Sequence, residues 1–240
     1  VIHLDLKKIF ISVLSILIAY WGILWIGGGE DPYSLEHNLI RKIDIFLLGE
    51  SHLYGGTGIQ FDPEGLLSTI PSVVTVLIGY LVGSMLHTTK DFLDNVKRMS
   101  TFGIGLIMVG MIWGLLFPIN KQLWTSSYVL FTGGIATLFL SALCYMIDIK
   151  KWKKPLWVFQ IFGTNSIFLF VLSGLWTKII LRLRFDLEGQ SISGYGYLYK
   201  TLFVPIGGDM FGSLLFAIAH LVGFWLVLLW LYRKKIFINL

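Results

Sequence analysis

The chain has 240 residues, of which 55% are hydrophobic and 14% charged, with a mean hydropathy of +0.76. A soluble domain carries about a quarter charged residues. A deficit spread over the whole length excludes an ordinary soluble enzyme and predicts an all-α, polytopic transmembrane bundle. Net charge is +5. The basic residues stand in short loops beside apolar runs, a placement that sets membrane orientation and argues against nucleic acid as a partner.

The single Cys144 lies in an apolar run, which leaves no disulfide framework and no cysteine metal site. Residues 1–6 begin at Val1 and carry neither the basic region nor the cleavage site of a signal peptide, the pattern of a piece or a processed product. A bilayer span needs about 20 mostly apolar residues. Six segments qualify: 9–26, 66–86, 101–117, 126–147, 156–180 and 210–232. Twelve of the 19 Lys and Arg fall on one side of these spans, at Lys7/Lys8, Lys90 to Arg98, Lys150 to Lys154 and Arg233 to Lys235. The other seven are spread over longer loops. The positive-inside rule then makes both termini cytoplasmic and turns loops 27–65, 118–125 and 181–209 outward. One cysteine and short loops suit a bacterial inner membrane. No internal repeat stands out, so 1–240 is expected to form a single transmembrane domain.

Gly79-x-x-x-Gly83 and Gly110-x-x-x-Gly114 put small residues one turn apart, which lets helix backbones approach closely in lipid. Packing within the bundle is the plainer reading and a homodimer contact the other. The segment 178–209, with LRLRFDL and the tyrosine-rich SGYGYLYK, reads as amphipathic and interfacial.

Titratable groups crowd at 43–68, where Asp44, Glu50, His52, Asp62 and Glu64 fall among five glycines. In FDPEG, Pro63 suits the first turn of a helix, Asp62 can cap it and Glu64 complements its dipole. Helix initiation alone accounts for all three; orienting a base or holding an amino sugar is the functional alternative. His52 beside Glu50 has the chemistry of a general base, or is a plain surface group. In PINKQLWTSSY, 118–128, Asn120, Lys121 and Trp124 make a short outer turn, and Lys121 is placed to pair with Asp62 or Glu64. A turn with an interfacial aromatic explains the same residues. Asn165 in GTNSI needs a hydrogen-bond partner in a membrane helix, either another helix or a ligand. The inner clusters at Lys97/Arg98 and Lys150 to Lys154 can hold phosphates, or serve topology and anionic lipid. There is no P-loop, dinucleotide fingerprint, HExxH, G-x-S-x-G or metal-ligand spacing. Residue by residue, an intramembrane transferase and a transporter or flippase module for a sugar or acyl carrier stay equally open.

At these same residues the chain resembles the heparan-α-glucosaminide N-acetyltransferases and their bacterial relatives. The matching stretches are IDIFLLGESHLY (43–54), FDPEGLLSTI (61–70), PINKQLWTSSY (118–128), GTNSI (163–167) and YRKKIF (232–237), in that order. The resemblance implies an integral-membrane acetyltransferase moving acetyl from cytoplasmic acetyl-CoA to a glucosamine-type amine on the far side. It also implies that the chain matches the C-terminal part of the family. The catalytic histidine then lies on an early loop among further spans that partner this chain, and no role passes from it to His52. On this reading Asp62, Glu64, His52, Asn120, Lys121 and Trp124 form the outer wall where the amino sugar docks. Asn165 lines the path of the pantetheine arm, and Lys97, Arg98, Lys150 and Lys151 bind the coenzyme phosphates.

Overall fold

The computed structural model describes residues 5–238, apart from 57, 87, 153 and 155. It divides into two compact units, Val1–Lys151 and Trp152–Leu240. The first contains α1 (Leu6–Gly27), α2 (Leu39–Leu48), a 3₁₀ turn (Glu50–His52), α3 (Thr69–Met85), α4 (Phe92–Trp113) and α5 (Ser126–Cys144), which runs on into a π-helical turn (Tyr145–Ile149). The second contains α6 (Trp157–Thr164), α7 (Ser166–Arg182), a hairpin β1 (Arg184–Leu187) and β2 (Gln190–Ser193), α8 (Gly194–Leu198), a π-helical turn (Tyr199–Phe203) and α9 (Val204–Arg233).

In the first unit, α1 buries Ile9, Val13, Leu17, Tyr20 and Leu24, a three-to-four-residue spacing that makes one helical stripe. Its Ile9, Val13 and Leu17 pack on Val74, Leu77, Ile78 and Leu81 of α3 and on Val129 and Leu130 of α5. The α4–α5 seam is set by glycine. A Cβ at Gly134 would meet the Gly103 carbonyl oxygen at 2.6 Å, and one at Gly110 would meet the Phe131 nitrogen at 2.7 Å. Gly110 therefore packs within the bundle, whereas Gly79 and Gly83 have nothing within 4 Å of an added Cβ.

All six apolar segments are helical, but their limits differ from the sequence expectation. Among the described residues, four helical runs are long and apolar enough to cross a membrane: Leu6–Gly27, Phe92–Trp113, Ser126–Ile149 and Gly194–Arg233. A fifth exists if α6 and α7, bent by 77° at Asn165, count as one span. At about 1.5 Å per residue, the 17 residues of α3 fall short of a hydrocarbon core of about 30 Å. α4 begins nine residues before its predicted start. Asp91 caps it by accepting the Leu93 N–H at 2.9 Å, so Asp94, Lys97 and Arg98 ride on its first turns and not on a loop. α9 breaks at Gly207 and Gly208, the latter at φ +66°, so its apolar stretch resumes close to the predicted residue 210.

The 178–209 segment is not a continuous amphipathic stretch. Arg184 to Leu187 pair antiparallel with Gln190 to Ser193. Glu188 and Gly189 turn the hairpin at φ +55° and +81°, and Asp186 Oδ1 accepts the Gly189 N–H at 3.1 Å.

Candidate functional site at the mouth of the first unit

Loops 27–65 and 118–125 come together at one end of the first unit. There Tyr20, Leu24, Ile40, Phe61, Phe117 and Leu123 form a second buried cluster. The turn before α5 is held by its own hydroxyls. Thr125 Oγ1 donates to the Pro118 carbonyl at 2.9 Å and Ser127 Oγ to that of Phe117 at 2.5 Å. Ser126 Oγ reaches back to the Leu17 carbonyl at 2.8 Å, and Tyr20 Oη donates to that of Leu123 at 2.6 Å. Asn120 Oδ1 accepts the Gln122 N–H at 2.8 Å, an Asx turn that makes it a shaping residue. Trp124 follows in the left-handed region, φ +48°, where a bulky side chain is an outlier. Its indole donates to Thr75 Oγ1 at 3.4 Å and meets the Tyr128 ring edge-on at 5.5 Å.

FDPEG is a turn, and the helix it was expected to start begins only at Thr69. Asp62 Oδ1 accepts the Glu64 N–H at 2.9 Å, and the Gly65 N–H returns to the Asp62 carbonyl at 3.1 Å. Proline can open a β-turn as readily as a helix, and the local hydrogen bonds choose the former. Glu64 stays exposed. With Pro63, Ser68, Thr69, Ser72 and Trp124 it lines a cavity of about 220 Å³. Two predicted wall residues, Glu64 and Trp124, thus share one pocket. Lys121 does not join them. Among the described residues the ion pairs are Arg41–Glu50 at 3.3 Å and Arg98–Asp94 at 2.9 Å, so the expected Lys121 pair with Asp62 or Glu64 is absent. His52 lies exposed in the 3₁₀ turn, its Nδ1 3.4 Å from Ser51 Oγ, and is not part of that pocket's lining. Glu50 is taken up by Arg41, so it leaves His52 without the expected carboxylate partner.

One carboxylate has a larger part than its place in the sequence suggested. Asp44 is fully buried on α2. Its Oδ1 accepts the Leu66 N–H at 3.1 Å, while Oδ2 is buried with no partner. Burial pushes its pKa up; the Leu66 N–H pulls it down, and the Asp62 charge adds a further push upward. With Arg41, whose Nε donates to the Gln60 carbonyl at 2.9 Å, Asp44 staples the returning 60–66 segment onto α2. The signal was present: Ile40 and Asp44 are four apart, so they share the buried face of α2.

In the second unit Asn165 is buried at the α6–α7 break. Its Nδ2 donates to the Ile236 carbonyl at 3.1 Å and its Oδ1 accepts the Ile238 N–H at 2.8 Å. Two matching stretches, GTNSI and the tail, meet in this contact, and both ends of the amide are occupied by backbone. Sequence reasoning also passed over His220, on α9. Its Nδ1 lies 2.9 Å from the Phe216 carbonyl, so the proton sits there, and Nε2 is buried without a partner among Trp176, Tyr195, Phe216 and Phe224. An ionisable group within an apolar helix was the signal available.

The basic residues of the first unit's other end are distributed unequally. Arg98 is neutralised by Asp94. Lys97 and Lys150 line one groove, and the Lys150 Nζ stands 5.6 Å over the Tyr145 ring. Lys151 follows at φ +58°. Lys153 lies outside the described residues.

No protein-family model matches the chain. It is 33% identical over 171 residues to the mouse heparan-α-glucosaminide N-acetyltransferase, a match covering 62% of this chain and 26% of the relative. The human protein of the same name is 33% identical over 146 residues, covering 54% of this chain and 22% of the relative. The chain thus spans about a quarter of the length of the curated relatives it matches, and its relationship to them is partial and distant.

Proposed function

We propose that the chain is part of an integral-membrane acetyltransferase that takes acetyl from acetyl-CoA on the cytoplasmic side. The acceptor is the amine of a glucosamine-type sugar on the extracytoplasmic side. The observation that carries this reading is the 33% identity over 171 residues to proteins named for N-acetyl transfer to a glucosaminide. The mouth geometry supports it: the resembling stretches 43–54, 61–70 and 118–128 converge at one end of the first unit.

In the reaction the amine nitrogen attacks the thioester carbonyl, the new C–N bond forms as the C–S bond breaks, and the thiolate of the coenzyme leaves. A base takes the amine proton, and that base is not assigned to this mouth. Glu64 accepts hydrogen bonds from the sugar's amine or hydroxyls, and Trp124 supplies the apolar wall against which the ring settles. Asp62, Asn120 and Asp44 hold the two turns that present them. Alignment of the amine with the thioester accounts for much of the rate.

The test is transfer of labelled acetyl from acetyl-CoA to glucosamine by membranes from cells expressing the gene for this chain. Labelled N-acetylglucosamine is expected, and Glu64→Ala should lower its rate at least about 10-fold, the weight of one charge-assisted hydrogen bond. Undiminished transfer in both Glu64→Ala and Asp62→Ala would sink the site assignment.

A transporter or flippase module is the second reading. It draws on the helix breaks at Asn165 and at Gly207–Gly208, since interrupted helices line substrate paths in secondary transporters. Uptake of unmodified labelled glucosamine, with no acetyl product, would select it.

A further inference from the structure

The groove between α4 and the end of α5 is large, and among the described residues its lining holds two lysines and no carboxylate. It holds about 1020 Å³ and is lined by Leu93, Val96, Lys97, Leu138, Tyr145 and Lys150, among others. Its serine and threonine hydroxyls are already engaged. Ser100 and Ser141 bond each other at 2.6 Å, Ser141 donates to the Val96 carbonyl at 3.1 Å, and Thr101 donates to that of Lys97 at 3.0 Å. Asp94 is closed by Arg98 at 2.9 Å, and Asp148 on the π-helical turn is exposed and outside the lining. The polar groups left to recognise a ligand are therefore the Tyr145 hydroxyl and the two ammonium groups of Lys97 and Lys150, both lysines exposed and neither in an ion pair among the described residues.

We propose that this groove binds an anionic phospholipid. The phosphate sits between Lys97 and Lys150, and the first part of an acyl chain runs along Leu93, Val96 and Leu138. Charge complementarity selects the head group, and the apolar wall selects the chain. A coenzyme would fit less well: its ribose hydroxyls, adenine and pantetheine amides need several polar partners, and the groove's serine and threonine hydroxyls are spent on the protein. The inference goes beyond the acetyltransferase reading and does not depend on it, because it assigns to a lipid two lysines expected to serve the donor.

The experiment uses the purified chain in nanodiscs of phosphatidylcholine containing phosphatidylglycerol, with lipid retained after transfer to detergent counted by native mass spectrometry. Phosphatidylglycerol should be retained over phosphatidylcholine. The double variant Lys97→Gln/Lys150→Gln should weaken that retention about 30-fold, the weight of two lysines near an anionic membrane. The single variants should each weaken it about 5-fold, and remain readable if the double variant fails to fold. Lys97→Arg/Lys150→Arg should keep it, and Lys90→Gln, the same charge removed at the same end but outside the groove, should leave it unchanged. Equal retention of the two lipids, undiminished retention in the glutamine variants, or displacement of phosphatidylglycerol by micromolar coenzyme A would each overturn the proposal. Because the readout is binding, loss of acetyl transfer leaves the result intact.

Discussion

Asp44 is the residue on which the mouth turns. An aspartate buried with one oxygen unpartnered among the described residues is costly to ionise, so burial raises its pKa. Its raised pKa means that the folded protein binds this proton more tightly than the unfolded chain does. The contribution to stability is then fully present below the ordinary carboxylate value of about 4 and is lost as pH rises through the raised value. Asp44→Asn removes the titration and keeps an acceptor for the Leu66 N–H. We expect the difference in unfolding temperature between Asp44→Asn and the parent to shift in favour of the variant as pH rises above about 4. A difference that stays flat with pH would show that folding leaves this pKa unchanged, and one that moves toward the parent would show the carboxylate ionised and stabilising instead. FDPEG carries the same lesson from the other direction. Its residue types suit a helix start, but the Asp62-to-Glu64 hydrogen bond closes a turn first, which leaves Glu64 free at the pocket.

At the level of elements, two devices place the helices. The first is the glycine seam. Gly134 faces backbone atoms of α4, which cannot swing away, so Gly134→Ala should cost about 1–3 kcal/mol as the helices are forced apart. Gly79 faces open space, and Gly79→Ala should stabilise α3 by about 0.5–1 kcal/mol through helix propensity. Thermal unfolding of the two variants in the same detergent checks the pair, and equal effects would remove the seam's special status. The second device is the Asn165 break. Asn165→Ala frees both tail hydrogen bonds, so trypsin should cleave after Lys234 and Lys235 markedly faster than in the parent. An unchanged cleavage rate would mean that the Tyr232–Phe237 contact and the Ile236 N–H bond to the Leu231 carbonyl hold the tail without Asn165.

For the whole molecule the open quantity is orientation. The basic residues predict that both termini and the Lys97/Lys150 end face the cytoplasm. Cys144 is the chain's single cysteine, so a Cys144→Ser background accepts reporter cysteines one at a time. Cysteines at Glu36 and Glu188 should react with an impermeant maleimide from outside, and those at Lys8 and Lys90 only after the membrane is opened. The reverse pattern would invert the sidedness of the proposed reaction.

The amino-acid sequence by itself determined that this is a helical membrane protein, which segments are apolar helices, and where the polar stretches with family resemblance lie. The first two are properties of composition and periodicity, written locally, and the third rests on motif resemblance alone. Tertiary structure decided the rest. It ended α3 short of a full span, bent α6 against α7 at Asn165, and turned 184–193 into a hairpin. It brought Glu64 to Trp124 while giving Lys121 no ion pair among the described residues, and it gave the returning loop to Asp44. The Asn165 and Asp44 contacts depend on which distant backbone group is left over once the helices have packed: a free carbonyl in the tail for Asn165, a free N–H at Leu66 for Asp44. Such pairings join residues 22 and 71 positions apart, and no local pattern in the chain encodes them.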